Sequence, residues 1–529
     1  MTNARLIPPA TLQAALHDGG EMALLDVRED GEFGEDHLLF ATPLPYSRLE
    51  LGISALVPRK SVRIVLCDDG VSGIAQRAAN RLAQLGYTDL FILDGGIHGW
   101  KAAGYALFKG VNVPSKLFGE LVEHAYNTPR ITAQDLVKMR ESGEDFALFD
   151  GRPVHEHHKM TIPGSTCCPN AELPYRVASM VKNPKTKIIV NCAGRTRSIL
   201  GAQTLINFGV PNQVYALENG TQGWYLSDLQ LEHGSPRQYP ETVDPAQLPA
   251  QQESARALIK RFNVRIASAA EVTGWLKEPG RTTYLCDVRT PEEFTAGSIV
   301  GAQHTPGGQL IQATDQWVGV RNARIVLIDG GEMVRAPVVA SWLLQLGCDA
   351  CVLDGGVKAR LEGVNTENPE LPAIPLISPD ELNKLIEHKA CTVIDVNTSM
   401  SHRKAHVPGS RWSIRSRIAR DAKDAKLPVV LIADDAGMAR LAATELVDAG
   451  INDVRLLEGG LKGWIKAGYP TASSPDIPAD RDCIDYLFFV HDRHAGNREA
   501  MKQYLAWETG LMAQLSDQDK SQFKVGHPA

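Results

Sequence analysis

The chain has 529 residues, of which 43% are hydrophobic and 22% are charged, as in an ordinary globular protein. This length exceeds what one hydrophobic core organises, so roughly three to five domains are expected. The formal net charge of -7 argues against nucleic acid as a main partner. No stretch has the apolar length of a signal peptide or a membrane span, which predicts a protein without a membrane partner. The 9 cysteines, at irregular spacing, favour reduced thiols in a cytoplasmic protein over a disulfide framework.

The chain contains the same pattern four times. In each copy an apolar segment ends in an aspartate, and a turn containing glycine follows some seventy residues later. The aspartates are Asp26, Asp150, Asp287 and Asp395, and the residues two positions beyond them are Arg28, Arg152, Arg289 and Asn397. The turns occupy 95–96, 219–220, 355–356 and 459–460, and a tryptophan follows all of them except the third. Repeats of this length are whole domains and not the units of a solenoid.

Between these two anchors each copy contains an apolar strand, a short loop and a helical pattern. Continuous apolar strands that alternate with helices are typical of buried parallel strands. The sequence therefore predicts an α/β protein of tandem domains, each a parallel sheet flanked by helices. The predicted domains are 1–112, 125–236, 257–366 and 374–475, followed by a helical tail at 476–529.

The loop of the second copy has the composition of a reactive-cysteine site. It consists of Cys192, Ala193, Gly194, Arg195, Thr196, Arg197 and Ser198, between an apolar strand and a helical pattern. Ligands of parallel sheets bind at the carboxyl ends of strands, where Cys192 lies. The helix N-terminus and the two guanidinium groups favour a thiolate in a loop that binds an anion. A structural, buried cysteine is the alternative, but the polar residues after it would be unpaired in a core.

Further motifs resemble a known family. Copy three opens with Asp287-Val288-Arg289-Thr290-Pro291-Glu292-Glu293-Phe294, and copies two and four contain Ile162-Pro163-Gly164-Ser165 and Val407-Pro408-Gly409-Ser410. With the cysteine loop and the glycine turns in order, the copies resemble rhodanese domains, the sulfurtransferase family, over nearly the whole chain except the tail. Within that family a two-domain form pairs an inactive first domain with an active second one. The resemblance therefore implies that copies one and two pair, and that copies three and four form a degenerate second pair.

The resemblance also assigns roles to residues of the second copy. Cys192 would be the nucleophile that carries a persulfide, and Arg195 and Arg197 would bind the anionic donor. The backbone amides of Ala193, Gly194, Thr196 and Ser198, with those of the two arginines, would surround the persulfide. Asp150 and Arg152 would support the loop from a neighbouring strand. No metal or organic cofactor is required.

The four copies differ at the position of the cysteine. Copies three and four have Ile328 and Ala433 there and cannot form a persulfide. Copy one has Cys67, in a loop that resembles the mercaptopyruvate-type loop of the family. However, Asp68 and Asp69 follow it, and their negative charge raises the pKa of the thiol and repels an anionic donor. Cys67 is therefore only a candidate second site, and Cys192 is the predicted active site.

The sequence thus predicts a thiosulfate sulfurtransferase, in which the Cys192 thiolate takes the outer sulfur of thiosulfate, sulfite departs, and cyanide or a thiol accepts the sulfur. Three alternatives stay open. One is a mercaptopyruvate-type sulfurtransferase. Another is phosphatase or arsenate chemistry, which uses a cysteine-to-arginine loop one residue longer than this one. The last is a rhodanese-like sulfur carrier or interaction scaffold, since half of the chain lacks the cysteine. The physiological donor, the acceptor and the oligomeric state are not contained in the sequence.

Four other features have a structural interpretation. Cys348 and Cys351 have the CxxC spacing without a second pair, which favours structural thiols over a zinc or redox site. Cys167 and Cys168 are expected to be structural in preference to resolving cysteines. The histidines of residues 155–158 are expected on a solvated helix face and not in a metal site. The tail carries an apolar stripe with Tyr504, Leu505, Trp507, Leu511 and Met512. This stripe must be buried, either on the cysteine-free half of the chain or in a homodimer.

Overall fold

The computed structural model describes residues 4–362, 370–494 and 496–526, except for the side chain of His494. The ends of predicted domains one and three, at 1–3 and 363–366, and residues 495 and 527–529 of the predicted tail lie outside the described residues. The predicted α/β class is confirmed, because the chain forms four five-stranded parallel sheets with flanking helices. Each sheet has the same strand order, in which the fourth strand of the copy lies at the centre and the second and fifth lie beside it.

The first copy contains β1 (Arg5–Ile7), β2 (Met22–Asp26), β3 (Thr42–Pro43), β4 (Arg63–Cys67) and β5 (Leu90–Leu93), with helices α1 (Pro9–Ala15), α2 (Asp30–Glu35), α3 (Leu49–Leu56), α4 (Ile74–Gln84) and α5 (Gly96–Ala102). Helix α6 (Val113–Tyr126) comes next. The second copy contains β6 (Arg130–Ile131), β7 (Phe146–Asp150), β8 (Thr166–Cys167), β9 (Lys187–Asn191) and β10 (Val214–Leu217), with α7 (Ala133–Glu141), α8 (Val154–Lys159), α9 (Leu173–Met180), α10 (Thr196–Phe208) and α11 (Gly220–Leu226).

Helix α12 (Leu248–Arg261) connects to the third copy. That copy contains β11 (Arg265–Ala267), β12 (Thr283–Asp287), β13 (Gln303–His304), β14 (Arg324–Ile328) and β15 (Asp349–Leu353), with α13 (Ala269–Leu276), α14 (Pro291–Ala296), α15 (Gly307–Gln312) and α16 (Arg335–Gln345). After β15, where the sequence lacks the tryptophan, there is only a 3-10 turn at Gly356–Lys358.

The fourth copy contains β16 (Leu376–Ile377), β17 (Thr392–Asp395), β18 (Arg411–Trp412), β19 (Val429–Ile432) and β20 (Val454–Leu457), with α17 (Pro379–Glu387), α18 (Ser399–Lys404), α19 (Arg415–Asp421), α20 (Ala436–Asp448) and α21 (Gly460–Lys466). The tail contains α22 (Phe488–His491), α23 (Arg498–Gly510) and α24 (Asp517–Lys520).

The position of the central strand β9 explains why its sequence is continuously apolar. Ile188 and Val190 face one core cluster, which includes Leu205 of α10. Ile189 points to the opposite face of the sheet and packs with Leu148 and Trp224. Because successive side chains of a strand point to opposite faces, a strand with helices on both sides needs apolar residues at every position. The same arrangement brings the residue after β9 to the open carboxyl edge of the sheet.

The copies pair differently from the expectation. Copies one and four form one compact unit, and copies two and three form another that also contains the tail from residue 489. The predicted pairing of one with two and three with four is therefore wrong. In the first unit Arg415 of copy four makes a bidentate ion pair with Glu50 of copy one, and its guanidinium lies 4.4 Å from the centre of the Tyr46 ring. In the second unit Arg335 bonds Glu172 at 3.1 Å. The first contact joins copies one and four, which are not adjacent in sequence. The second joins copies two and three, which are adjacent but were expected to belong to different pairs.

The glycine turn at Gly220 packs directly against the backbone of the cysteine loop. Gly220 has φ of +50°, and a Cβ at this position would lie 2.1 Å from the carbonyl oxygen of Cys192. The next residue, Thr221, donates its N–H to the same oxygen at 2.8 Å. The turn and the loop therefore approach so closely that only glycine fits.

We expect Gly220→Ala to lower the midpoint of thermal unfolding and to distort the cysteine loop, because the new methyl group displaces the Cys192 carbonyl. Gly209→Ala is the matched control, since Gly209 also has a positive φ, of +81°, but nothing lies within 4 Å of its Cβ position. The control variant should cost only about 1 kcal/mol of backbone strain. Equal losses in the two variants, measured by calorimetry, would contradict the close approach.

Candidate active site

Cys192 lies between the end of β9 and the start of α10. Its side chain is almost fully buried, with the residue 2% exposed. The hydroxyl of Ser198, in the first turn of α10, donates a hydrogen bond to the cysteine sulfur over 3.2 Å. A hydroxyl donor and the start of a helix both stabilise negative charge on sulfur. Cys192 therefore has one hydroxyl donor on its sulfur and lies at the start of a helix.

Five successive backbone N–H groups follow Cys192 in the loop. Within the part of the chain that the structure describes, the N–H groups of residues 193–197 have no hydrogen-bond acceptor. The carbonyl oxygens of Cys192 and Ala193 accept bonds from Thr221 and Gln222, which fixes the loop in this shape. The predicted cradle differs in one residue, because the Ser198 N–H bonds the carbonyl of Arg195 at 3.0 Å. Ser198 therefore contributes its hydroxyl, and the five amides before it are available to an anion.

In copy one the corresponding amides are occupied by the protein itself. Asp68, directly after Cys67, accepts the N–H groups of Gly70 at 2.8 Å and Ala75 at 2.9 Å. Asp69 accepts those of Val71 and Ser72. Burial raises the pKa of the Cys67 thiol well above its usual range, and the Asp26 and Asp68 carboxylates raise it further. This thiol therefore stays protonated beside a loop in which two aspartates already accept four of the backbone N–H groups.

Copy three uses the same device. Asp329, directly after Ile328, accepts the N–H groups of Gly331, Val334 and Ala336 at 2.9 to 3.2 Å. In copy four Asp435 accepts the N–H of Gly437 at 2.7 Å. Copy two has Ala193 at the position of Asp68 and Asp329. An alanine side chain has no oxygen to accept hydrogen bonds from the loop amides.

Arg197 is partly buried in the loop that follows Cys192. Its guanidinium makes two hydrogen bonds to Glu156 of α8, at 2.8 and 2.9 Å. Burial lowers the pKa of Arg197, but Glu156 raises it more, and the Cys192 charge adds to this rise. Arg197 is therefore fully charged and within electrostatic reach of Cys192, and its role in binding a donor stays a prediction.

Arg195 faces a different element. Its guanidinium bonds both oxygens of Glu120 on α6, at 2.7 and 2.9 Å, and also bonds Glu123. Burial lowers the pKa of Arg195 and the two carboxylates raise it above its usual value. The sequence predicted that both guanidinium groups would be available to bind an anion, and the structure contradicts this for Arg195. Each arginine of the loop already has a carboxylate partner, and Arg195 joins the loop to α6.

Asp150 and Arg152 form a buried ion pair at the end of the neighbouring strand β7, and their support of the loop stays a prediction. Arg152 donates to both Asp150 oxygens at 2.9 and 2.6 Å and to the carbonyl of Met160. Burial raises the pKa of the Asp150 carboxyl, but Arg152 and the Thr161 hydroxyl lower it further, so the net shift is downward. In copy four, which has Asn397 in place of the arginine, His402 Nδ1 bonds the aspartate at 2.8 Å instead.

The tail covers the cysteine loop of copy two. Glu508 of α23 accepts the Thr196 hydroxyl at 2.9 Å and the Lys116 ammonium of α6 at 3.0 Å. Tyr504 lies 3.8 Å from the Cβ position of Gly194. The expected burial of the apolar stripe is confirmed at Tyr504 and Leu511, which are 3% and 0% exposed. The stripe was expected to pack on the cysteine-free half or on a second subunit. This is wrong for the face that contains Tyr504, because that face packs on copy two.

The other candidate residues are structural. Cys168 belongs to the core cluster of β9, and Cys351 belongs to that of the third sheet. Cys167 is fully buried and donates to the Arg152 carbonyl. His157 contradicts the expected solvated face, because it is 1% exposed and contacts the Ser165 carbonyl. The described residues contain no group of three side chains able to hold a metal ion.

Sequence reasoning missed Lys116, Glu120 and Glu123, all on α6. Their spacing of four and three residues places them on one face of a helix. That pattern is the signal that could have identified α6 as a wall of the site. Glu508 gave no comparable signal, because one carboxylate in a tail helix has no distinguishing context.

The sheet of copy two thus presents a cysteine, amides without an acceptor and a helix N-terminus at its carboxyl edge, an arrangement suited to cysteine chemistry on an anion. The family model for the rhodanese-like domain matches residues 8–103, 132–227, 268–361 and 378–467. The chain belongs to the rhodanese-like sulfurtransferase family, with four tandem domains.

Known proteins resemble the whole chain or parts of it. The crystal structure of thiosulfate sulfurtransferase from Pseudomonas aeruginosa is 41% identical, with a TM-score of 0.91 over 98% of this chain and 99% of that one. The thiosulfate sulfurtransferase GlpE of the same species is 30% identical over 102 residues, which are 18% of this chain and 89% of GlpE. Its probable 3-mercaptopyruvate sulfurtransferase is 44% identical over 70 residues, 13% of this chain and 25% of the relative. The chain spans less than two thirds of the first curated relatives, 46% and 25% in two cases.

No helix within the described ranges combines the length and the apolar character that a bilayer crossing needs.

We expect Glu156→Gln to reduce stability at neutral pH and to remove part of the acid sensitivity of the fold. Burial raises the pKa of Glu156, but Arg197 and Arg152 bring it down to about 2. A carboxyl whose pKa is lower in the folded state stabilises the fold above its unfolded pKa of about 4.3. This contribution, of order 1–3 kcal/mol, is lost as the pH falls from there toward 2.

The measurement is the difference in unfolding midpoint between the wild type and Glu156→Gln, recorded from pH 7 to pH 3. The difference should shrink as the pH falls. Glu253→Gln, which removes an exposed carboxylate paired with Arg256, should show no such trend. A difference that stays constant with pH would contradict the role of the buried ion pair.

Proposed function

We propose that the chain is a thiosulfate sulfurtransferase with one active site, at Cys192. The observation that carries this is the contrast between the loops. Copy two leaves five amides free after its cysteine, and copies one and three fill theirs with an aspartate. Free amides beside a thiolate suit a small anion that delivers sulfur. The relative named thiosulfate sulfurtransferase, which matches over nearly the full chain, supports the choice of donor.

The proposed reaction is a double displacement. The Cys192 thiolate attacks the outer sulfur of thiosulfate, a new S–S bond forms, and sulfite leaves with the electron pair of the broken S–S bond. The enzyme then holds a persulfide, and cyanide or a thiolate attacks its outer sulfur and regenerates the thiolate. The Ser198 hydroxyl and the loop amides stabilise negative charge on sulfur in both steps, and Arg197 stabilises the departing sulfite. The chemistry requires no metal or organic cofactor.

We expect Cys192→Ser to abolish sulfur transfer without loss of the fold, because a serine hydroxyl is not ionised near neutral pH. Cys67→Ser is the matched control and should retain most of the activity. The assay combines thiosulfate with cyanide, and intact mass after thiosulfate alone should show a gain of one sulfur atom. Retained activity in Cys192→Ser, or a comparable loss in Cys67→Ser, would refute the assignment of the site.

We expect thiosulfate to be preferred over mercaptopyruvate, since the loop fits a compact dianion. Arg197→Ala should lower kcat/KM for thiosulfate by about 10²–10³, as for the loss of a donor that stabilises an oxyanion. Arg256→Ala, which alters an exposed guanidinium on α12, serves as the control. If kcat/KM for mercaptopyruvate exceeds that for thiosulfate, the donor is wrong, although the family assignment stands.

A further inference from the structure

The carboxylate of Glu508 is unusual among the buried charges near Cys192. The residue is 0% exposed. One of its oxygens, Oε1, accepts hydrogen bonds from Lys116 and Thr196. The other, Oε2, is buried and has no hydrogen-bond partner among the described residues. A buried oxygen without a partner costs free energy, and its presence in a folded protein calls for an explanation such as a functional role.

This unpaired oxygen faces the cysteine loop. It lies 3.0 Å from the Cβ position of Gly194, two residues after the nucleophile, and Gln222 lies 3.4 Å from the same position. Gly194 has no side chain to separate the carboxylate from the free amides of the loop. A donor that reaches Cys192 therefore passes close to a negative charge.

The charges of the site are mostly paired with one another. Arg195 bonds Glu120 and Glu123, Arg197 bonds Glu156, and Lys116 bonds Glu508 itself. Arg493, which lies over the Tyr504 ring, also acts on Glu508 through its charge. Burial raises the pKa of Glu508 but Lys116 lowers it more, so that the carboxyl is ionised at neutral pH.

We propose that Glu508 and Lys116 set the charge selectivity of the Cys192 site, Glu508 by disfavouring anionic reagents and Lys116 by favouring them. They act as specificity-determining residues, one on the tail helix α23 and one on α6. The link to sulfur donors rests on the proposed function, but charge selectivity at the thiol does not. It follows that the tail takes part in choosing the substrate and is not only a packing element.

The test compares two alkylating reagents of nearly equal size, the anion iodoacetate and the neutral iodoacetamide. In both reactions the Cys192 thiolate attacks the methylene carbon, a C–S bond forms, and iodide leaves with the electron pair of the C–I bond. The rate is followed on the peptide that contains Cys192, so the other thiols do not interfere. The quantity measured is the ratio of the iodoacetate rate to the iodoacetamide rate.

We expect Glu508→Gln to raise this ratio about tenfold and Lys116→Gln to lower it by a similar factor, since each variant removes one buried charge. The double variant should return toward the wild-type ratio. Glu499→Gln, which removes an exposed carboxylate at the start of the same helix, should leave the ratio unchanged. In addition, Glu508→Gln should lower the KM for thiosulfate more than it changes kcat.

Single variants that shift the ratio in the same direction, or not at all, would overturn the proposal. Equal acceleration of both reagents in Glu508→Gln would also overturn it, because the helix would then only limit access. If Glu508→Gln is misfolded by thermal melting, the sign of the Lys116→Gln effect decides. If the ratios shift as expected but thiosulfate does not load sulfur on the wild type, the proposed function fails and the charge selectivity stands.

Discussion

The backbone N–H groups at the start of the helix after the central strand are the constraint on which the chemistry of each copy depends. These groups cannot bond within their own helix, and a buried loop must provide them with some acceptor. Copies one and three meet this requirement with Asp68 and Asp329, which lie at equivalent positions. Copy two has Ala193 there and leaves the requirement open for a ligand. One residue after the cysteine position thus separates a self-satisfied loop from a loop able to bind an anion.

The parts of this structure that depend on local sequence could be predicted, and those that depend on distant contacts could not. The apolar segment of β9 and the glycine turn at Gly220 specify the sheet and the loop, because their constraints act over a few residues. The carboxylates that partner the loop come from far away: Glu120 lies 75 positions before Arg195, and Glu508 lies 312 positions after Thr196. The expectation of two arginines with free positive charge is therefore wrong, because the pattern around the loop does not contain the carboxylates that pair with them.

The cysteine-free copies keep the frame of the fold while its chemistry is absent. The aspartate–arginine pair at the end of the second strand persists in copy three as Asp287 and Arg289. Copy four has Asn397 in place of the arginine, and His402 bonds the aspartate instead. Because such a pair persists in copies without a nucleophile, its role is to stabilise the end of the strand, and it affects the site only indirectly. The buried ion pairs of Arg335 and Arg415 point to the same role, since such pairs specify which surfaces meet more than they add stability.

In the proposed reaction, neutral donors share with Arg197 the stabilisation of negative charge, because each arginine of the loop is already paired with a carboxylate. The Ser198 hydroxyl bonds the Cys192 sulfur, and the loop amides have no acceptor among the described residues. Such dipoles are fixed by the fold and need no reorganisation when charge moves from the thiolate to a leaving group. An uncompensated guanidinium would bind a dianionic product as tightly as the donor, whereas paired guanidiniums and oriented amides stabilise the charge on sulfur and let the product leave.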